Sequence, residues 1–160
     1  MILGIVSFYL KNINMIDFSK KNIIITGAGG KIGFELSSYF YHQNANLILI
    51  EKNSNKLVSL KNKFKKSKIY NCDLEKLSSI KNTLKKIKER FSTIDTIIHT
   101  ASLVGTSELT GWNTKFSNQS ISNFDKSFKI NVSSIFFLVQ QLQKNLNRSK
   151  NPSIINIGSI

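Results

Sequence analysis

Short apolar runs and amphipathic segments alternate along this chain. "NIIITG" is a continuous apolar run closed by glycine, the pattern of a strand buried on both faces. "KIGFELSSYFYHQ" follows at helical spacing and predicts a shared face of Ile32, Leu36, Tyr39 and Phe40. "ANLILIEKN" predicts a second strand, and "SNKLVSLKNKFKK" a helix that Ser54 or Asn53 could cap. "SKIYNCDL" predicts a short third strand and "LEKLSSIKNTLKKIKERF" a long amphipathic helix. "TIDTIIHTAS" holds a fourth strand. "SNFDKSFKINVSSIFFLVQQLQKNLNRS" reads as one long helix, and Pro152 separates it from a last strand, "SIINIGSI". This alternation predicts an α/β fold: a Rossmann-like, doubly wound parallel sheet with helices on both faces and right-handed crossovers. One long irregular stretch, "LVGTSELTGWNTKFSNQS", lies between the fourth strand and the long helix, where a loop of that length is usually functional.

In such a fold, ligands bind outside the carboxyl ends of the strands, so the residues after each apolar run carry the chemistry. After the first strand comes "TGAGGKIG", Thr26 to Gly33. Glycines there permit a tight turn and let backbone N–H groups approach a diphosphate at the start of a helix. The bland alternative is a plain turn. After the second strand comes Glu51, some twenty residues on, where an acid can accept hydrogen bonds from both hydroxyls of an adenosine ribose and repel a 2′-phosphate. That favours NAD(H) over NADP(H), although Lys31 and Lys52 pull mildly the other way. Asp73, in "CDL", either meets an adenine amino group or caps the next helix, and Cys72 beside it reads as a buried filler. "HTAS" offers small residues, Ala101 and Ser102, against which a cofactor can lie. His99 is preferred as a satisfied, partly buried histidine over a catalytic base. Asn131 is a poor interior helix residue in apolar surroundings, which points to a polar network at the sheet tip.

Bulk properties narrow the classes. The length of 160 residues suits one domain, and 41% hydrophobic with 20% charged residues describes a globular chain. A single cysteine precludes an internal disulfide and fits a reducing cytoplasm. The net charge of +14 is spread over predicted helix faces without aromatic interleaving, so no nucleic-acid partner is expected; attraction of anionic substrates is a milder use of the same field. The apolar start, "MILGIVSFYL", is shorter than the about twenty residues of a membrane span and lacks a signal peptide's leading charge and cleavage site. Neither a membrane partner nor a metal site is expected. Translation from Met15 is the preferred reading. The alternative is that residues 1–14 are a loose hydrophobic extension or peripheral anchor; in either case residues 15–160 read as an NAD(P)-binding domain, incomplete at its C-terminus.

Together these motifs resemble the short-chain dehydrogenase/reductase family, from about Met15 onward. "TGAGGKIG" is similar to its cofactor loop, "CDL" to its adenine contact, "HTAS" to its Asn-Asn-Ala-Gly segment, "INVSSIFFL" to its helix asparagine and "SIINIGSI" to the strand of its catalytic serine. The resemblance implies an NAD(P)-dependent oxidoreductase that interconverts an alcohol and a carbonyl by hydride transfer. Thr26, Gly27, Gly30, Lys31, Ile32, Gly33, Glu51, Asp73, Leu74, Thr100, Ala101 and Ser102 would bind cofactor. Ser159 would polarise the substrate carbonyl and Asn131 would order the proton relay. Pairing of the full-length form through its helices is implied as well. The family's Tyr-x-x-x-Lys pair is not present: none of Tyr9, Tyr39, Tyr41 and Tyr70 has lysine four residues on. The chain therefore reads as an N-terminal portion without the last strands, inactive alone. Lys31 stands where the classical branch has glycine, so an extended-branch nucleotide-sugar epimerase or dehydratase stays open, as does a non-catalytic nucleotide-binding remnant. The segment around Asn131 looks classical. The loop "VGTSELTGWNTKFSNQS" is similar to members from bacterial surface-polysaccharide and flagellin-glycan pathways, which implies a small sugar derivative as substrate.

Overall fold

A computed structural model describes residues 17–103 and 110–158. Met15 and Ser159 lie outside the described residues. The elements are β1 (Asn22–Thr26), α1 (Lys31–His42), β2 (Asn46–Glu51), α2 (Ser54–Lys63), β3 (Lys68–Asn71), α3 (Leu77–Arg90), β4 (Thr96–His99), α4 (Ile121–Phe128), α5 (Ser134–Leu146) and β5 (Ser153–Asn156). The strands form one sheet in the order β3-β2-β1-β4-β5, and every pair is parallel. The doubly wound α/β architecture expected from the alternation is the one observed, with its switch point between β1 and β4.

Alternate residues of the central strands feed two cores. Ile24, Ile48, Ile50 and Ile97 pack with Ile80, Leu84 and Ile87 of α3 and with Leu138 and Leu142 of α5. Ile23, Ile25, Leu47, Leu49 and Ile98 pack with Phe40 of α1, Leu60 of α2 and Phe64. Burial on both faces is why these strands are apolar without a break. Cys72 is a buried member of the first core, as read.

Two local expectations change. The buried face of α1 is Gly33, Ser37 and Phe40, whereas Ile32 and Tyr39 are more than half exposed. Close approach at Gly33 turns the helix so that its smallest residue, not its branched one, meets the loop below. The predicted long helix is two helices joined by a wide turn of π-helix, Lys129–Ser133. Single π turns inside helices frequently mark functional positions. Among the described residues β5 is an edge strand paired with β4, and it is exposed at all four residues. At α2, the capping choice resolves to Asn53, whose side chain accepts from the Lys56 N–H at 3.1 Å.

Candidate functional site

The tips of β1, β2, β3 and β4 line a cleft of about 290 Å³. Its lining includes Gly27, Gly30, Glu51, Asp73, Ala101 and Ser102, which the sequence placed there, and also Asn53, Lys56 and Leu103, which it did not. Lys56 comes one turn into α2, a position no strand-tip rule selects.

Gly27 begins the loop with φ +64°, and a Cβ there would stand 2.7 Å from the Ala101 Cα. Two constraints therefore select glycine at this residue: the left-handed backbone and the close pass of β4's tip. At Gly33, a Cβ would strike the Gly27 carbonyl and the Thr100 hydroxyl. The Gly27–Gly30 turn closes with Gly30 N–H donating to the Gly27 carbonyl at 2.9 Å. Gly30 then leads into α1 without a side-chain cap, and the first turn of α1 carries no acid. The leading N–H groups of α1 thus keep their positive end free for an anion.

Glu51 is buried at the end of β2, and three backbone N–H groups donate to its carboxylate. Oε2 accepts from Gly29 at 3.0 Å; Oε1 accepts from Lys52 at 2.9 Å and Asn53 at 3.0 Å. This side chain staples the glycine turn to the β2–α2 turn. A carboxylate offers about four acceptor positions, so one is left on a side chain that lines the cleft. Asp73 accepts from the Glu75 N–H at 3.1 Å and faces the ammonium groups of Lys52 and Lys76, each 3.9 Å away. It closes the turn before α3 but does not cap that helix, which begins after Lys76 without a side-chain cap. Asp73 lines the cleft together with the buried Leu74.

Other predicted residues are near the cleft without facing it. Thr26 is fully buried, and its hydroxyl lies 2.7 Å from His99 Nδ1. The Thr100 hydroxyl donates to the Thr26 carbonyl at 2.7 Å. These two threonines shape the loop from behind. Lys31 and Ile32 are exposed on the first turn of α1, outside the cleft lining. His99 is 1% exposed, with Nε2 3.1 Å from the Ile130 carbonyl. Burial holds its imidazole below the ordinary range, a shift partly offset by that hydrogen bond. It is the satisfied histidine expected. Asn131, in the π turn, bonds Leu103 through both halves of its amide.

A family model for short chain dehydrogenases matches residues 21–160. The chain belongs to the short chain dehydrogenase family. It is 29% identical over 147 residues to the 3-oxoacyl-[acyl-carrier-protein] reductase FabG of Rickettsia typhi, covering 91% of this chain and 56% of that one. Among solved structures it is similar to the oxidoreductase yciK of E. coli, with TM-score 0.73 and 23% identity over 86% of this chain and 57% of the other. It is also similar to an Escherichia coli short chain dehydrogenase solved with NADPH, with TM-score 0.72 and 22% identity over 86% of this chain and 58% of the other. The chain thus spans a little over half the length of the relatives it matches.

The cleft fits the NAD(P) that serves this dehydrogenase family. The fit is local: a turn with no room for a Cβ at Gly27, an uncapped helix start at Gly30, and an acid on the same cleft with one acceptor position left. No helix among the described residues is long and apolar enough to cross a membrane.

Proposed function

We propose that this chain carries the cofactor half of an NAD(H)-dependent oxidoreductase that interconverts an alcohol and a carbonyl on a small sugar derivative. The observation that carries the reading is the convergence of the Gly27–Gly30 turn and Glu51 on one cleft. Bound nicotinamide dinucleotide would supply the hydride acceptor or donor. Gly27, Gly30 and the leading N–H groups of α1, from Lys31 to Gly33, would hold its diphosphate. Glu51 would take a ribose hydroxyl with its remaining acceptor position, and its charge disfavours a 2′-phosphate. Asp73 and the edge of Leu74 would meet the adenine, and Ala101 and Ser102 would let the cofactor lie along the tip of β4. Thr26 and Thr100 support this surface from behind.

Asn131 would hold the Leu103 backbone in place and order the proton relay. Ser159 would polarise the substrate carbonyl. The sugar class rests on the likeness of the loop after β4, whose residues 104–109 are outside the described set. A cytoplasmic enzyme that pairs with a second copy is the setting this reading implies.

The test is titration of the purified chain with NADH and with NADPH, followed by nicotinamide fluorescence and calorimetry. NADH binding that exceeds NADPH binding supports the reading. Tighter NADPH binding overturns the role given to Glu51, and binding of neither overturns the cofactor assignment.

A further inference from the structure

The hydrogen bonds around His99 have a polarity that can be worked out from their ends. The Ile130 carbonyl can only accept, so the His99 Nε2 facing it at 3.1 Å carries the proton. Nδ1 is then a bare acceptor, and the Thr26 hydroxyl, 2.7 Å away, donates to it. With its proton committed, the Thr26 oxygen can receive the Ala101 N–H, a longer contact of 3.4 Å. The chain of donors runs one way, from the Ala101 backbone through Thr26 and His99 to the Ile130 backbone. Both ends are main-chain groups of fixed polarity, so it cannot reverse.

The position of this chain gives it a role. Thr26 sits immediately before Gly27, whose left-handed turn lines the cleft. Ile130 sits immediately before Asn131, within the π turn. In a wide turn the helical ladder is displaced, and a side chain that enters it can hold the opened carbonyl. Here the Ile130 carbonyl receives the His99 ring and also the Ser134 hydroxyl at 2.6 Å. The turn so held aims Asn131 at Leu103, which lines the cleft.

We propose that His99 is a positioning residue that couples the Gly27 turn of the dinucleotide cleft to the Asn131 turn, by holding Thr26 and Ile130 at once. A histidine suits the task because its two nitrogens point to opposite sides of a rigid ring, one accepting and one donating. The functional consequence rests on the dinucleotide reading above, while the coupling itself does not.

The first measurement is nitrogen-detected NMR of the wild-type chain, where the neutral His99 ring should show the Nε2–H form. The second is hydrogen exchange at the Leu103 and Ala101 amides. His99→Asn keeps an acceptor near Thr26 and loses the reach to Ile130, and should speed Leu103 exchange about tenfold. Thr26→Val keeps the shape of the side chain and removes the hydroxyl, and should speed Ala101 exchange. NADH should slow Leu103 exchange in the wild type and fail to do so in His99→Asn. An Nδ1–H form, or Leu103 exchange unchanged in His99→Asn, overturns the proposal. Should His99→Asn not fold, the wild-type tautomer and Thr26→Val still decide it. Should NADH not bind the wild type, the dinucleotide reading falls, while the tautomer and the two exchange rates continue to judge the coupling.

Discussion

Asn131 grips the backbone of Leu103 with both ends of its amide: Oδ1 accepts the Leu103 N–H at 2.8 Å and Nδ2 donates to the Leu103 carbonyl at 3.0 Å. This is the pairing a neighbouring strand would offer, made by one side chain from a helix 28 residues away. It pins the segment that leaves β4 beside the cleft. Asn131→Leu removes both bonds and leaves two polar groups partly buried, a loss of about 1–3 kcal/mol. Asn131→Asp keeps the acceptor for the Leu103 N–H but sets a carboxylate oxygen against the Leu103 carbonyl, so it too should lose stability while protecting the Leu103 amide better than Asn131→Leu. Urea unfolding of both variants, with exchange at Leu103, checks the order.

The glycine turn should rank its own substitutions. Gly27→Ala meets a left-handed backbone at φ +64° and an Ala101 Cα 2.7 Å from the new Cβ, whereas Gly30→Ala meets only the Gly27 carbonyl at 3.2 Å. The first should cost on the order of 1–3 kcal/mol of stability and abolish NADH binding. The second should fold nearly as well as the wild type and weaken binding. Equal destabilisation by the two would contradict this account of the turn.

Glu51→Gln tests the staple between the glycine turn and the β2–α2 turn. The amide keeps one acceptor oxygen and places an NH₂ against backbone N–H donors, where three charge-assisted bonds stood. The expected loss is about 1–3 kcal/mol. NADH affinity should fall and the preference over NADPH should shrink, as read by parallel titrations. Unchanged preference would remove Glu51 from cofactor selection.

Acid should weaken the fold through Asp95. Burial alone would raise its carboxyl, but the Asn22 N–H at 2.9 Å, the Ser149 hydroxyl at 2.7 Å and the Lys21 ammonium at 3.4 Å hold it below the ordinary value. A group lowered in the folded state adds stability above its unfolded value, about 3.9, and that stability is lost as pH falls through the folded value. Asp95→Asn should flatten the acid end of the stability curve measured by urea midpoints.

His99 acts in the same direction at higher pH. Its folded value lies below the ordinary 6.5, chiefly from burial. The unfolded chain therefore binds a proton first, and stability falls as pH drops below about 6.5. His99→Asn should remove that slope. A midpoint that rises toward acid pH in the wild type would contradict the buried, neutral ring.

Much of this molecule was legible in its residues. Continuous apolar runs such as Ile23–Ile25 and Leu47–Ile50 declared strands buried on both faces, because only a parallel sheet covered on two sides removes every one of those side chains from water. The glycines after Thr26 marked the turn, since backbone shape there is a local property of residues without a Cβ. Asn131 stood out because an amide in an apolar helix demands partners.

The rest was decided by contacts between distant positions. Which face α1 buries depended on how closely Gly33 passes the Gly27 loop, and that overrode the more hydrophobic Ile32 and Tyr39. Whether Glu51 was free or engaged depended on where the Gly29, Lys52 and Asn53 N–H groups point. Thr26 and His99 are 73 residues apart, and only the parallel register of β1 with β4 sets them side by side. Periodicity reports how each segment meets its own core, whereas hydrogen bonds across strand tips exist only once the sheet has brought those tips together.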